Sequence, residues 1–247
     1  MNFTIPVIGL MLAGAAYGAV PDRVPVLLEL FTSEGCSSCP PADRLLEKLD
    51  RDQPVAGAEL IVLSEHVDYW NRLGWTDPYS SADFSRRQQD YAAHFRTNEI
   101  YTPQLVVDGV HQAVGGNWPM VERAIRESLQ EQKIAITLRT ARTRNGALVH
   151  VEAPPLTGDG GKALVYLAIA ANHAESRVTR GENRGRELSH VAVVLSLKRI
   201  SEISTKQGIS KDVPLSLGSP DMRAVVLVQD ARTERILGVA SSLFPGK

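Results

Sequence analysis

The sequence predicts an α/β domain followed by a β-rich domain of sandwich type. From Val26 to about Gln132, short apolar runs of strand length alternate with stretches of helical period. After Gln132 the texture changes to alternating strands and turns, with Gly and Pro clusters at 154–161 and 214–220 separating the later runs. A chain of 247 residues accommodates two such units comfortably.

The elements follow in order. Val26–Phe31 is an apolar run of buried-strand length. Ala42, Leu45, Leu46 and Leu49 recur at i, i+3, i+4 and i+7, one face of a helix. Leu60–Leu63 reads as a second buried strand, and Ser81 as the cap of a helix carrying Phe84, Tyr91, Ala92 and Phe95 on one side. Leu105–Val107 leads into Asp108-Gly109, a strong hairpin signal, with Val110–Val114 as the return strand. A last helix buries Val121, Ala124, Ile125, Ser128 and Leu129. Crossover connections, themselves right-handed, make the first two strands parallel. This β-α-β-α-β-β-α order is also that of the thioredoxin core.

In the second half Ile134, Ile136 and Leu138 alternate with polar residues, as do Val149 and Val151 after Asn145-Gly146. Longer runs follow at 163–171, 191–197, 225–228 and 236–240. Six or seven strands without a helix are expected, the pattern of a β-sandwich. The expected domains are therefore 24–132, thioredoxin-like, and 133–247, β-rich.

Ile5–Ala16 is apolar and rich in small residues, and Ala16-Tyr17-Gly18 offers small side chains where a signal peptidase reads. Residues 1–19 are read as a signal peptide, although Met1–Thr4 carry no Lys or Arg; a short anchor or a buried helix is the alternative. A periplasmic or secreted protein is expected. A formal net charge of −1 argues against broad electrostatic binding to nucleic acid or anionic lipid. No run beyond the N-terminus approaches the roughly 20 apolar residues of a membrane span.

Only two cysteines exist, Cys36 and Cys39, between the first strand and the first helix. A helix N-terminus lowers the pKa of a thiol through its dipole and free N–H groups, and the thiolate is the nucleophile. Cys36 is expected to be the exposed attacking thiol and Cys39 the inner, resolving one. Pro40 and Pro41 fit the opening turn of the helix. Zinc half-site, static disulfide and chance pair remain the competing readings; no second Cys pair supplies four structural ligands. Thr102-Pro103 stands just before the strand Leu105–Val107, where a cis-proline loop faces the dithiol in thioredoxin folds. A cis Pro103 would leave Thr102 offering its backbone to an extended substrate segment.

Glu65–Trp70 follows the second strand, so it shares the carboxyl edge of the sheet with the cysteine loop. His66 is a candidate catalytic residue as proton acceptor or imidazolium partner, and Asp68 a candidate to tune or bind beside it. Trp70, Trp75 and Tyr79 are candidates to line a groove there. A packed aromatic loop with a hydrogen-bonded His is the plainer reading. Cys36, Cys39 and His66 form an alternative soft-metal set for copper or zinc. The segment 177–190 mixes Arg177, Arg180, Glu182, Asn183, Arg184, Arg186, Glu187 and His190. A solvated loop is the default there; Gly181–Arg186 is also a candidate to bind a carboxylate or to dock on the dithiol edge.

With these residues in view the chain resembles a known family. Glu29–Asp43 (ELFTSEGCSSCPPAD), His66–Trp70 with Leu73-Gly74-Trp75, Tyr101–Gln104 and Gly181–Arg186 are similar to motifs of the bacterial exported family called domain of unknown function 1223. The resemblance implies a thioredoxin-like N-terminal part and brings no established activity. The functional expectation is a thiol–disulfide oxidoreductase acting through Cys36 and Cys39, with Thr102, Pro103, Trp70 and Asp68 toward substrate. Its partner is expected to be a protein or small-molecule thiol or disulfide, and the chemistry calls for no cofactor. A metal-binding protein or a redox-inert partner-binding module is the alternative.

Overall fold

β1 (Val24–Thr32) is buried at each of its last seven residues, as befits an interior strand covered on both faces. The computed structural model describes residues 23–158, 161–216 and 221–245, so the expected leader at 1–19 lies outside the described residues. After β1 the chain makes the dithiol loop and enters α1 (Pro40–Asp52), whose first positions are prolines. β2 (Ala58–His66) returns parallel to β1, in register from Val24↔Ala58 to Thr32↔His66. Ser81 caps α2 (Ala82–His94), its hydroxyl accepting from Asp83 N at 3.2 Å. β3 (Gln104–Val107) runs antiparallel to β1 and forms a hairpin with β4 (His111–Val114). Asp108 and Gly109 form its turn with φ of 50° and 72°, the left-handed pair a tight hairpin turn requires. α3 (Trp118–Ser128) buries Val121, Ala124, Ile125 and Ser128.

Seven strands and no helix follow among the described residues: β5 (Thr137–Thr143), β6 (Gly146–Ala153), β7 (Lys162–Arg177), β8 (Glu187–Ser204), β9 (Ile209–Leu215), β10 (Met222–Asp230) and β11 (Ile236–Leu243). They divide between two sheets. One is eight-stranded, in the order β11-β10-β7-β8-β2-β1-β3-β4; the other is β5-β6-β9. The large sheet therefore runs from one half of the chain into the other, through parallel pairing of β2 and β8 at Ser64↔Val193. β9 begins earlier than the expected Gly/Pro break at 214–220 and includes Pro214. An edge strand tolerates that proline because one side of its backbone needs no donor.

The core has layers on both faces of the large sheet. Leu28, Leu30, Leu60 and Val62 meet Leu46 of α1 and Ile125 of α3, while Leu27, Ile61 and Leu63 meet Phe84 of α2 and Val225, Leu227 and Val239 of the second half. Val149 and Val151 of the small sheet close on Val165, Leu167, Val226 and Val228. Each such side chain contributes about 1.5–3 kcal/mol by leaving water. Arg223 of β10 grips Asp50 of α1 with two nitrogens at 2.7 and 2.9 Å, a second tie between the halves. The architecture is a mixed α/β fold with one large sheet and few helices.

Candidate functional site

Cys36 and Cys39 are joined as a disulfide with Cα atoms 5.4 Å apart. The strand-to-helix junction places them as expected, but two details differ from the sequence reading. Pro40 and Pro41 carry no N–H, and the N–H groups of Ala42 and Asp43 both donate to the Cys39 carbonyl. The first helical donors are thus absent or committed, and the hydroxyl of Ser38, 3.3 Å from Cys36 Sγ, is the polar group beside that sulfur. Nor is Cys36 exposed: both cysteines have 0% of their surface open to solvent.

The cover comes from the second half. β7 and β8 form one long hairpin, paired out to Arg177↔Glu187, and its turn at 178–186 reaches the cysteine loop. There the Asn183 amide donates to the carbonyls of Glu34 (2.8 Å) and Cys36 (2.9 Å). Glu182 accepts from Ser37 N at 3.1 Å. Of the two readings of this segment, a solvated loop or docking on the dithiol edge, the structure shows the docking, through the amide of Asn183 and the carboxylate of Glu182; Arg180, Arg184 and Arg186 are exposed.

Beside the cysteines lies a buried charged cluster. Asp43 is buried on the helix stripe next to Ala42 and Leu46, and accepts from Thr32 Oγ1 at 2.8 Å. Glu34 accepts from Trp75 Nε1 at 2.7 Å. His190 of β8, 1% exposed, stands between them, with Nε2 3.5 Å from Glu34 and Nδ1 3.7 Å from Asp43. Burial works against its charged form, yet the two carboxylates prevail and push His190 up to about 9, so it is an imidazolium at neutral pH. His66 does not pair with a cysteine: its Nδ1 is 2.7 Å from Asp77 Oδ2, and its ring meets His190 edge-on at 4.7 Å. Burial alone would raise Asp77, but His66 and the N–H groups of Glu34 and Tyr79 hold its carboxyl below the usual range. Glu34 Oε1, His66 Nε2 and both His190 nitrogens have no hydrogen-bond partner among the described residues.

The remaining candidates divide. Trp70 Nε1 donates to Thr102 Oγ1 at 2.8 Å, and the Thr102–Pro103 bond is cis. A side chain at Gly35 would meet Trp70 Cβ at 3.1 Å, and one at Gly115 would meet Ala42 at 3.0 Å and Pro103 at 3.2 Å. Trp70, Thr102 and Pro103 therefore gather around the cysteine loop and the start of α1. Asp68 is held elsewhere, its carboxylate accepting from Ser85 of α2. Tyr79 reaches the Glu175 carbonyl of β7 through its hydroxyl at 3.3 Å. No three His, Cys, Asp or Glu side chains among the described residues are grouped as a metal ion requires, and the disulfide leaves no free thiolate for the alternative set Cys36, Cys39 and His66.

Sequence reasoning passed over Glu34, Asp43 and Asp77, and named His190 and Asn183 only within a polar run. Asp43 did leave a signal, an acid at a position of the apolar stripe of α1. His190 left none, because only the pairing of β8 with β2 brings it to the dithiol.

The comparisons bear on the whole of this assembly. The model of the family described as Protein of unknown function (DUF1223) matches residues 27–229, from β1 through β10. The chain belongs to that family. The matched span takes in the dithiol, the β7–β8 turn and His190. An Agrobacterium tumefaciens protein known from its X-ray crystal structure is similar, with 25% identity and a TM-score of 0.73 over 91% of this chain and 96% of that one. The sporulation control protein Spo0M of Bacillus subtilis aligns weakly, with a TM-score of 0.28 and 10% identity over 47% of this chain and 49% of that one. No curated protein matches the chain.

Proposed function

We propose that this protein is an exported thiol–disulfide oxidoreductase of thioredoxin-like type, working through Cys36 and Cys39. The observation that carries the reading is the disulfide at the strand-to-helix junction, with Trp70, Thr102 and Pro103 gathered beside it. The thioredoxin-like reading draws support from the order β2-β1-β3-β4 within the large sheet, with β3 antiparallel and α1 starting at the second cysteine. Export accords with a chain whose only two cysteines are oxidised, because such pairs persist outside the cytosol.

In the reducing direction the Cys36 thiolate attacks a sulfur of a partner disulfide, and the partner's other sulfur leaves as a thiolate. Cys39 then attacks Cys36 Sγ in the mixed disulfide, re-forming the internal bond and releasing the second partner sulfur. Two electrons pass to the partner, and its two thiolates take up the two protons lost by the cysteines. Run in reverse, the same steps oxidise a partner dithiol. Buried carboxylates at Glu34 and Asp43 disfavour a nearby thiolate, and the His190 imidazolium offsets them.

The test is turnover of insulin disulfides by the reduced protein with dithiothreitol, compared with Cys36→Ser. Turnover abolished by the substitution is expected. No turnover by the unaltered protein in either direction, together with an ordinary Cys36 pKa, overturns the reading.

A further inference from the structure

The turn between β7 and β8 does more than join two strands. Its backbone is closed on itself by Val178 N to Arg186 O (3.0 Å) and Gly185 N to Val178 O (2.8 Å). Gly181 and Gly185 supply left-handed backbone with φ of 73° and 83°. From Thr179 to Glu187 every residue is exposed except Asn183, which is 0% exposed. One buried amide therefore plugs an otherwise solvated turn into the dithiol loop. Its Nδ2 takes both carbonyls of that loop, those of Glu34 and Cys36, and Glu182 takes the Ser37 N–H from outside. The plug is incompletely satisfied, since Asn183 Oδ1 has no donor among the described residues. A buried amide oxygen left unpaired weakens the closed state relative to a state in which water reaches it. A mostly solvated segment held by buried Val178 and Asn183 and by the Glu182–Ser37 bond also belongs to the parts of a protein that open locally.

We propose that the turn at 178–186 is a strap that holds the dithiol shut, so that Cys36 and Cys39 exchange with a partner only after Asn183 lifts out of the cysteine loop. The proposal rests on the thiol–disulfide reading for its purpose, and it is measurable without it. The strap gives the second half of the chain a part in the chemistry: it decides when a sulfur with no exposed surface becomes reachable. A partner would have to displace Asn183 or wait for it, and a bulky disulfide would feel the strap more than a small one.

The test follows reduction of the Cys36–Cys39 disulfide in the folded full chain by tris(2-carboxyethyl)phosphine, counting thiols as they appear. The phosphine attacks one sulfur and breaks the bond, and water then yields the phosphine oxide and the second thiol. Asn183→Ala is expected to accelerate reduction at least tenfold with circular dichroism unchanged, and Glu182→Gln, an exposed change, about two- to threefold. In the unaltered protein the Ser37 N–H should exchange with solvent well before the amides of β1 and β2, which needs no substitution and decides the matter if Asn183→Ala fails to fold. Equal reduction rates in folded Asn183→Ala and the unaltered protein, or Ser37 exchange as slow as that of β1, would overturn the strap. Insulin turnover separates the two readings. Faster reduction in the variant without turnover in any form keeps the strap and sinks the oxidoreductase, whereas turnover with unaltered accessibility does the reverse.

Discussion

Glu65 and His66 are neighbours on β2 and point to opposite faces of the sheet, each into a buried charged cluster, and the two clusters are built on different rules. On the α2 face Arg87 donates to Glu29 at 2.6 Å, to Tyr91 at 2.8 Å and to Gln229 at 3.1 Å. Tyr91 in turn donates to Glu29 at 2.5 Å. Burial, and then the Glu29 charge, push Glu65 well above the usual carboxyl range, with Arg87 only partly opposing. One planar fork thus ties Glu29, Tyr91 and Gln229 together, while Glu65, 3.7 Å from it, has no hydrogen-bond partner among the described residues. On the α1 face His190 stands 3.5 and 3.7 Å from its two acids, its nitrogens ion-paired but without a hydrogen-bond partner among the described residues. The first cluster is clamped, as suits a tie between α2 and the sheet. The second is held by charge with slack in the geometry, which accords with the proposed lifting of its cover.

The comparison can be broken at several points. The largest effect is expected from Arg87→Met, which leaves Glu29 without its cation; loss of one partner of a buried pair costs about 3–5 kcal/mol. Urea unfolding measures it, and a loss below about 1 kcal/mol would mean that the α2 cluster is not clamped.

His190→Gln comes next, and its effect depends on pH. Because the folded pKa of about 9 lies above the ordinary value of 6.5, His190 stabilises the fold fully below pH 6.5. That contribution is lost as pH rises through 9. The shift corresponds to on the order of 3 kcal/mol, so unfolding of the variant and the unaltered protein should differ most at pH 6 and converge by pH 10. A difference constant across that range would show that His190 is neutral.

Glu65→Gln should be mild. A raised acid costs stability once pH passes its unfolded value, so the amide is expected to gain stability at pH 7 and nothing at pH 3. A loss at pH 7 would show an ionised, paired Glu65. Smallest is Glu182→Gln, on the surface, with a change in unfolding free energy within about 0.5 kcal/mol.

Strands and helices of the first half were legible because each is a local pattern. The stripe of α3, the Ser81 cap and the Asp108-Gly109 turn all lie within a few residues of what they determine. The dithiol and the Trp70, Thr102 and Pro103 surround were legible for a similar reason, since loops at one sheet edge meet once the strand order is known. What stayed hidden depends on a pairing distant in sequence. Nothing in Val191–Leu197 says that β8 will lie beside β2, and without that pairing His190 is one residue in a polar run and the docking of Gly181–Arg186 on the dithiol edge is one reading of two. Cys36 was expected to be exposed because the cover comes from a part of the chain that local pattern treats as solvent. His66 was assigned to the thiols by its edge position, but Asp77, eleven residues on, offers a closer and ionised partner.

The Asn183–Cys36 contact spans 147 residues, and that distance is also a delay. A chain made N-terminus first at roughly 5–20 residues per second presents both thiols about 7–30 s before Asn183 exists. During that interval the cysteines are as open to passing oxidants and disulfide catalysts as they will ever be. The finished protein is far more secluded than its own nascent form. On the proposed strap, the pair is open to exchange until Asn183 is made and seated, and restricted afterwards.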